Sequence, residues 1–200
     1  MSEYNRLEIT GILLAAGMGR RFGSQKLVAQ LPSGLPVAVA AWRNLKSAHK
    51  NSFAVVRHDD RAIMSLFKEE NIPFVISEDA YLGMSQSLLT GIQNSLQSSG
   101  WVIALGDMPF VDPQTIKKII SDMEGIANKS IFRPTFHEQS GNPVGLSSDL
   151  LNELMALEGD EGAREIIKRE RNRIHHIPVN DDGIIKDIDT QKDLLAVNNP

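Results

Sequence analysis

A glycine-rich stretch near the first residue carries the residue types that hold phosphate. It reads Leu14-Ala15-Ala16-Gly17-Met18-Gly19-Arg20-Arg21-Phe22-Gly23-Ser24-Gln25-Lys26. Glycines permit turns that expose backbone N–H groups, and such N–H groups bind phosphate oxygens together with basic side chains such as Arg21 and Lys26. Because the stretch follows an apolar run typical of a buried strand, it predicts a triphosphate-binding loop.

Two better-known phosphate loops do not fit this stretch. A dinucleotide fingerprint needs glycine at the sixth position of G-x-G-x-x-G, where the chain has Phe22. A P-loop needs Gly-Lys-Ser/Thr, whereas Lys26 lies between Gln25 and Leu27. The stretch instead resembles the nucleotidyltransferase signature Leu-Ala-Ala-Gly-x-(Ser/Gly)-x-Arg-x-Gly-x-x-Lys over residues 14–26. A surface hairpin with scattered basic residues is the alternative.

An acid follows a second apolar run, in the sequence Leu105-Gly106-Asp107-Met108-Pro109. Mg²⁺ takes hard oxygen donors and keeps waters and substrate phosphates around one or two protein carboxylates. We therefore interpret Asp107 as a Mg²⁺ ligand, the alternative being a turn residue that accepts backbone N–H bonds.

Asp187 and Asp189 offer a second acidic point. In extended chain, residues two apart face the same side, so either carboxylate could approach the metal. Capping of the following helix by Asp189 or Thr190 is the alternative, and the two roles are compatible.

The composition limits the partners. With 200 residues, 42% of them hydrophobic, and a formal net charge of −4, the chain suits one compact domain. The charge argues against nucleic acid or an anionic membrane surface as the main partner. The absence of cysteine excludes disulfides, thiolate metal sites and a cysteine nucleophile. Since no apolar run approaches the length of a membrane span, we expect a cytoplasmic protein.

The elements that must position these residues alternate between strand and helix. Strands are predicted at residues 8–15, 53–56, 74–76 and 101–105, and helices at residues 59–70, 85–96 and 113–123 and from Pro36 onward. This rhythm predicts an α/β fold with a mostly parallel central sheet flanked by helices, whose ligands gather at the carboxyl ends of the strands.

The pattern changes after Asn128. Strands are predicted at residues 131–136 and 143–146, and short helices at residues 150–157 and 163–170. We expect one domain over residues 1–200, with a nucleotide-binding half at about residues 7–127 and a small acceptor-binding lobe at about residues 128–200.

Five motifs follow one another along the chain. They are the loop of residues 14–26, Gly83-Met84-Ser85-Gln86-Ser87-Leu88, Gly106-Asp107-Met108-Pro109, Gly159-Asp160-Glu161-Gly162-Ala163-Arg164 and Asp187-Ile188-Asp189-Thr190. In this order, and over nearly the whole chain, they resemble the molybdenum cofactor cytidylyltransferases. The resemblance implies a Rossmann-like nucleotidyltransferase fold. The related guanylyltransferases usually open with Leu-Ala-Gly-Gly, so Ala16 favours CTP over GTP.

The resemblance also implies roles for individual residues. Arg21 and Lys26 would stabilise charge on the transferring phosphates, and Asp107 would hold Mg²⁺ with support from Asp187 or Asp189. The expected nucleotide contacts are Leu14, Ala15, Ala16, Gly17, Met18, Gly19, Arg21, Lys26, Gly83, Ser85, Ser87 and Gly106.

The expected acceptor site departs from the family pattern. The family commonly has Gly-His-Pro-Val, where this chain has Gly141-Asn142-Pro143-Val144. Asn142 can donate and accept hydrogen bonds but cannot be protonated, which argues against a proton-transfer role there and leaves a different acceptor as the alternative. Arg164 is a candidate clamp for the acceptor phosphate, with a surface salt bridge as the alternative.

The expected reaction is transfer of CMP from CTP to the terminal phosphate of molybdopterin, with release of pyrophosphate. A molybdoenzyme or its chaperone is a possible partner. The alternatives are a GTP-using guanylyltransferase, a transferase for another phosphorylated acceptor, and a nucleotide- or cofactor-binding escort without activity.

Overall fold

The first part of the chain alternates strand and helix, as its apolar pattern predicts. The computed structural model describes residues 8–17, 25–160 and 162–196. The elements up to residue 125 are strands β1 Ile9–Ala15, β2 Ser52–Arg57, β3 Phe74–Ser77 and β4 Gly100–Leu105, and helices α1 Val37–Ala48, α2 Arg61–Glu69, α3 Met84–Gln93 and α4 Pro113–Gly125.

Local sequence explains where these elements begin. Every residue of β1 is buried, as expected for a central strand covered on both faces. The carboxylates of Asp60 and Asp112 accept the N–H groups of Ile63 and Gln114, which caps α2 and α4. Pro36 directly precedes α1, where its missing N–H is harmless.

The second part of the chain adds its strands to the same sheet. Its elements are β5 Ile131–Phe136, β6 Gln139–Ser140, β7 Val144–Ser147 and β8 Ile174–Pro178, and helices α5 Leu151–Met155, α6 Arg164–Arg169 and α7 Gln191–Ala196. The strands of both parts of the chain therefore belong to one continuous sheet. Strand β8, which contains His175 and His176, had no separate strand prediction.

The sheet has the order β3-β2-β1-β4-β7-β5, and β6 and β8 both pair with β5. Strands β1, β2, β3 and β4 are parallel, as are β5 and β8, whereas β7 runs antiparallel to β4 and β5. The predicted mostly parallel α/β fold is thus confirmed. Strand β7 lies between β4 and β5 in the sheet and runs antiparallel to both, so β4 and β5 run in the same direction. The carboxyl ends of β1, β4 and β5 therefore lie at the same edge of the sheet.

Two apolar layers cover the sheet. One contains Leu13, Val102 and Phe132 and packs against helices α1, α2 and α4, while the other contains Ile12, Ile103 and Ile131 and packs against α3, α5 and α6. Alternate residues of each strand enter opposite layers, as the period of a strand requires. In the described ranges no helix is both long and apolar enough to cross a membrane.

Candidate active site

The predicted phosphate loop and Asp107 leave neighbouring strands at the same edge of the sheet. Leu14 of β1 pairs with Leu105 of β4, and the N–H of Gly106 donates to the carbonyl of Leu14 at 2.9 Å. A Cβ on Gly106 would lie 3.1 Å from that carbonyl oxygen, so the absence of a side chain allows this close approach. The hydrogen bond fixes the exit of β4 beside the exit of β1.

Lys26 connects the loop after β1 to two acids. Its Nζ donates to Asp107 Oδ2 at 2.7 Å and to Asp189 Oδ1 at 3.0 Å. The lysine side chain is only 11% exposed, and the neighbouring Leu27 is buried. Lys26 therefore joins three segments that are far apart in sequence, with its ammonium group held well below the surface.

The segment carrying Asp187 and Asp189 is fixed by the residue between them. Ile188 is 1% exposed, in an apolar cluster with Leu31 and Val37, and its N–H donates to the carbonyl of Asp107 at 2.9 Å. Since alternate side chains in extended backbone face opposite ways, burial of Ile188 leaves its two acidic neighbours on the other side. This accounts for the approach of both acids to Asp107.

The turn after this segment is held by Asp193. Its Oδ2 accepts the N–H groups of Asp189 at 3.0 Å and Thr190 at 2.6 Å. Hydrogen bonds from Thr190 are the main reason that the pKa of Asp193 lies below its usual value. The charged form of Asp193 therefore stabilises the turn that positions Asp189.

Three carboxylates in this cluster can hold a metal ion. Asp107, Asp187 and Asp189 each offer one oxygen, and these oxygens lie within 4.8 Å of one another. An all-oxygen set of this kind suits a hard divalent cation. The sequence placed all three among the metal candidates, and the structure brings all three together.

The charges of the cluster and its burial raise the pKa values of both Asp187 and Lys26. Burial, with added repulsion from Asp189 and Asp107, raises the pKa of Asp187. Burial alone would lower the pKa of Lys26, but its ion pairs with Asp107 and Asp189 outweigh burial and raise it. The cluster thus stabilises a cation at its centre and destabilises the third negative charge.

A cleft of about 130 Å³ borders the cluster. Its lining comprises Leu14, Ala16, Gly17, Lys26, Leu27, Ala80, Gly83, Met84, Ser87, Leu105, Asp107 and Asp160. The phosphate-loop end of β1, the start of α3 and the metal candidate Asp107 therefore share one cavity. A separate recess of about 670 Å³, lined by residues such as Thr10, Asn51 and Ser98, lies at the amino end of β1 and lacks these groups.

The start of α3 is locked to the loop before α6. Gly83 has a φ of 132°, and a Cβ on it would lie 2.5 Å from the carbonyl oxygen of Gly159. Both observations require glycine at this position. The N–H of Met84 donates to Asp160 Oδ1 at 2.9 Å, which fastens the two segments at the rim of the cleft.

The predicted nucleotide contacts occupy different places. Leu14, Ala16, Gly17, Lys26, Gly83 and Ser87 line the cleft. Ala15 is buried in the layer beneath α1, and Gly106 serves the β1–β4 junction. Ser85 is fully buried, and its hydroxyl donates to the carbonyl of Glu158 at 3.1 Å, where it fixes the loop rather than facing the cavity. Met18, Gly19 and Arg21 lie outside the described residues.

The two predicted acceptor contacts do not line this cleft. Asn142 lines a separate cavity of about 10 Å³ with Asn44 and Met108, and its backbone N–H donates to Ile184 at 2.9 Å. Arg164 is exposed at the first position of α6.

The sequence reasoning assigned no role to Asp160 or Arg133. Asp160 lies in the quoted motif between Gly159 and Glu161, and this acidic turn flanked by glycines was the available signal. Arg133 lies inside β5 as a charged residue in an otherwise apolar or neutral strand, and that interruption was its only signal.

Comparison with known proteins identifies the family of this chain. The family model described as the MobA-like NTP transferase domain matches residues 11–175. Purine catabolism protein PucB of Bacillus subtilis (strain 168) is 24% identical over 196 residues, which cover 92% of this chain and 93% of PucB.

A second relative and a solved structure extend the comparison. The probable molybdenum cofactor guanylyltransferase of Natranaerobius thermophilus is 26% identical over 119 residues, covering 58% of this chain and 55% of that protein. The crystal structure of Rv0371C from Mycobacterium tuberculosis H37Rv in complex with manganese superposes with a TM-score of 0.77 at 23% identity, covering 95% of this chain and 97% of that one.

Proposed function

The chain belongs to the MobA-like NTP transferase family, a family of nucleotidyltransferases, and from this membership we propose that it transfers CMP from CTP to the terminal phosphate of molybdopterin. Pyrophosphate is the second product. The observation that carries the proposal is the bridge from Lys26 to Asp107 and Asp189 at the rim of the cleft.

The reaction needs positioned charge rather than a general base. An oxygen of the acceptor phosphate, already anionic near neutral pH, attacks the α-phosphorus of CTP. The new P–O bond forms as the bond between the α-phosphorus and the bridging oxygen breaks, and the electron pair leaves with pyrophosphate. Catalysis then rests on alignment and on stabilisation of the phosphate charges.

Lys26 is the described cation best placed for this role. It lines the cleft, its side chain is 11% exposed, and its ammonium group is directed at two carboxylates. We propose that nucleotide binding moves this ammonium group from a carboxylate to a phosphate oxygen, and that Arg21 adds a second cation from the same loop.

Asp107, Asp187 and Asp189 would hold Mg²⁺. Their three oxygens within 4.8 Å suit a small oxygen-seeking cation, and a protein of similar fold has been crystallised with manganese. When bound, the metal supplies positive charge to the triphosphate. Neutralising the acids would also free Lys26 for the nucleotide.

The choice of CTP rests on the end of β1. Ala16 is 5% exposed and lines the cleft next to Gly17. A methyl group there takes space beside the nucleotide that glycine would leave open, which favours the smaller cytosine base.

The acceptor is proposed from chemistry and from the names of relatives. The guanylyltransferase relative supports molybdopterin as acceptor and makes GTP the competing nucleotide, whereas the name of PucB identifies no acceptor. With molybdopterin as acceptor, the product would pass to a molybdoenzyme or its chaperone.

The test measures pyrophosphate release with Mg²⁺ from CTP, GTP, UTP and ATP, each with and without molybdopterin. We expect release that requires both CTP and molybdopterin. Thermal stabilisation by each nucleotide with Mg²⁺ reports binding separately, because a ligand that binds only the folded state raises its stability.

The possible results separate the alternatives. Faster release from GTP would replace the cytidylyltransferase by a guanylyltransferase. Release with CTP that occurs only with another phosphorylated acceptor would keep the reaction and overturn molybdopterin. Nucleotide binding without release for any acceptor would favour an escort and contradict the proposal.

A further inference from the structure

Arg133 is a half-buried cation with no hydrogen-bond or ion-pair partner among the described residues. It lies in β5, two residues after Ile131, and therefore faces the same layer beneath α5 and α6. Its Nε atom is buried and has no hydrogen-bond partner. Buried polar atoms in folded proteins are nearly always hydrogen-bonded, so this atom requires an explanation.

The charge of another arginine acts on Arg133. Burial first, and then the positive charge of Arg164, lower the pKa of Arg133. The adjacent strand places His176 beside it. Among the residues that the structure describes, neither arginine has a carboxylate within ion-pair distance.

Other partly buried arginines of the molecule are compensated. Arg173 pairs with Asp149 at 2.6 Å, Glu170 at 3.4 Å and Glu153 at 3.8 Å. Arg57 also has a buried nitrogen without a hydrogen bond, but Asp59 and Asp60 balance its charge. Two cations placed together without an acid destabilise a fold, and an anionic ligand would remove that cost.

The position of the two arginines relates them to the cleft. Continuing the pairing of Phe132 with Gly145 by one step places Arg133 level with Val144, which pairs with Ile103 of β4. Arg133 is thus two strands, or about 10 Å, from β4 and on the same face as the cleft residue Leu105. A spacing of about 10 Å is short enough for one small molecule to contact both Arg133 and the cleft.

The turn before α6 connects the cleft to Arg164 along the chain. Asp160 lines the nucleotide cleft, and four residues later Arg164 begins α6. The buried Ile166 holds α6 against the layer that contains Ile131. A cleft residue and Arg164 are therefore only four positions apart in the chain.

We propose that Arg133 and Arg164 together bind a phosphate group of the acceptor, with Arg133 as the buried half of the site and Arg164 as the exposed half. Arginine presents planar pairs of N–H donors that match phosphate oxygens. The assignment of this phosphate to the acceptor rests on the proposed function, whereas binding of the anion does not. The proposal makes Arg133 a specificity-determining residue and restricts acceptors to phosphorylated molecules.

The test titrates inorganic phosphate into the full-length protein and into the variants Arg133→Gln, Arg164→Gln and Arg173→Gln. A nonhydrolysable CTP analogue with Mg²⁺ is present in one series and absent in another, so that phosphate binding in the nucleotide cleft is distinguished. We expect the first two variants to bind phosphate about tenfold more weakly, as for loss of one charge-assisted hydrogen bond. Arg173→Gln should bind as the parent does.

Stability without phosphate separates this role from a structural one. Arg133→Gln should melt at the parental temperature or above, because it removes an uncompensated buried charge, whereas Arg173→Gln should melt lower. Unchanged phosphate binding in Arg133→Gln and Arg164→Gln would overturn the proposal. So would a lower melting temperature of Arg133→Gln accompanied by parental binding in Arg164→Gln.

Kinetics then keep this proposal distinct from the proposed function. If the parent transfers CMP, Arg133→Gln should raise KM for the acceptor and leave KM for CTP unchanged. Transfer that is indifferent to both arginines would refute the acceptor site alone. Arginine-dependent phosphate binding without transfer from any nucleotide would refute the transferase assignment and retain the anion site.

Discussion

Lys26 and Arg133 are both cations set partly below the surface on the side of the molecule where β1, β4 and β5 end, yet their surroundings are opposite. Lys26 lies between two carboxylates at 2.7 and 3.0 Å. Burial and then the positive charge of Arg164 lower the pKa of Arg133, whose buried Nε has no hydrogen-bond partner among the described residues. Lys26 is thus paired with carboxylates, and Arg133 is not paired with any that the structure describes.

The difference indicates how each region would respond to a ligand. In the proposed function the cluster around Lys26 would exchange partners on binding phosphates and a metal, and its ion pairs would hold the cation in place beforehand. The arginine pair has no internal bond to break, and an arriving anion would only add contacts. The following predictions test the first region against residues whose roles are structural.

Asp107→Asn should give the largest effect. It preserves size but removes the charge that attracts Mg²⁺, and we expect transfer to fall on the order of 10³-fold, as for loss of a preorganised electrostatic group. Pyrophosphate release over a Mg²⁺ titration measures it. The matched control is Asp181→Asn, because Asp181 accepts the N–H groups of Asp112 and Gly183 outside the cleft. The control variant Asp181→Asn should have a lower melting temperature and retain turnover. Parental activity of Asp107→Asn at limiting Mg²⁺ would show that Asp107 is not a metal ligand.

Lys26→Ala should reduce turnover by about 2 to 4 kcal/mol of transition-state stabilisation. It also leaves three acids facing one another, so the metal-free protein should melt lower and recover with Mg²⁺. Lys186→Ala is the control, since that exposed lysine pairs only with Asp182 among the described residues. An unchanged rate for Lys26→Ala would mean that the loop acts through its backbone.

Gly83→Ala tests the connection between α3 and the loop before α6. The positive φ and the approach to Gly159 predict a loss of about 1 to 3 kcal/mol of stability, together with a raised KM for the nucleotide. Chemical unfolding and steady-state kinetics measure the two effects. Gly125→Ala is the control because a Cβ there meets nothing within 4 Å. Equal stability of the two variants would show that the α3 start tolerates a side chain.

Asp187→Asn should give the smallest effect, a slight rise in melting temperature without metal. The folded protein raises the pKa of Asp187, so its ionised form opposes folding above that pKa. The advantage of the variant should therefore be present at neutral pH and disappear as pH falls through the raised pKa. Melting curves across this range, without metal, check the sign. A lower melting temperature of the variant at neutral pH would contradict the repulsion within the cluster.

Much of this fold could be predicted from local pattern. The apolar runs of β1 and β4 and the capping acid Asp112 mark elements that the structure places within a few residues of the prediction. The grouping of Asp107 with Asp187 and Asp189 was also accessible, because one acid follows a buried strand and the other two alternate around an apolar residue.

The remaining features depend on contacts between distant segments. Nothing near Ser85 in the sequence shows that its hydroxyl would bind Glu158. Asn142, a predicted acceptor contact, lines a small cavity with Asn44 and not the cleft, because the sheet register and the bond to Ile184 set its place. Arg133 could not be singled out from the sequence, because whether a charged side chain has a partner depends on the residues that the fold brings near it.

The bond between Lys26 and Asp189 spans 163 positions of the chain. During synthesis, ribosomes add roughly 5 to 20 residues per second from the amino end, so the glycine loop and Asp107 emerge well before Asp189 can meet them. A nascent chain would therefore contain Lys26 and its partner Asp107 before the second partner, Asp189, is available. The onset of activity would then report when the last step of folding occurs, because that step forms a contact of very high sequence separation.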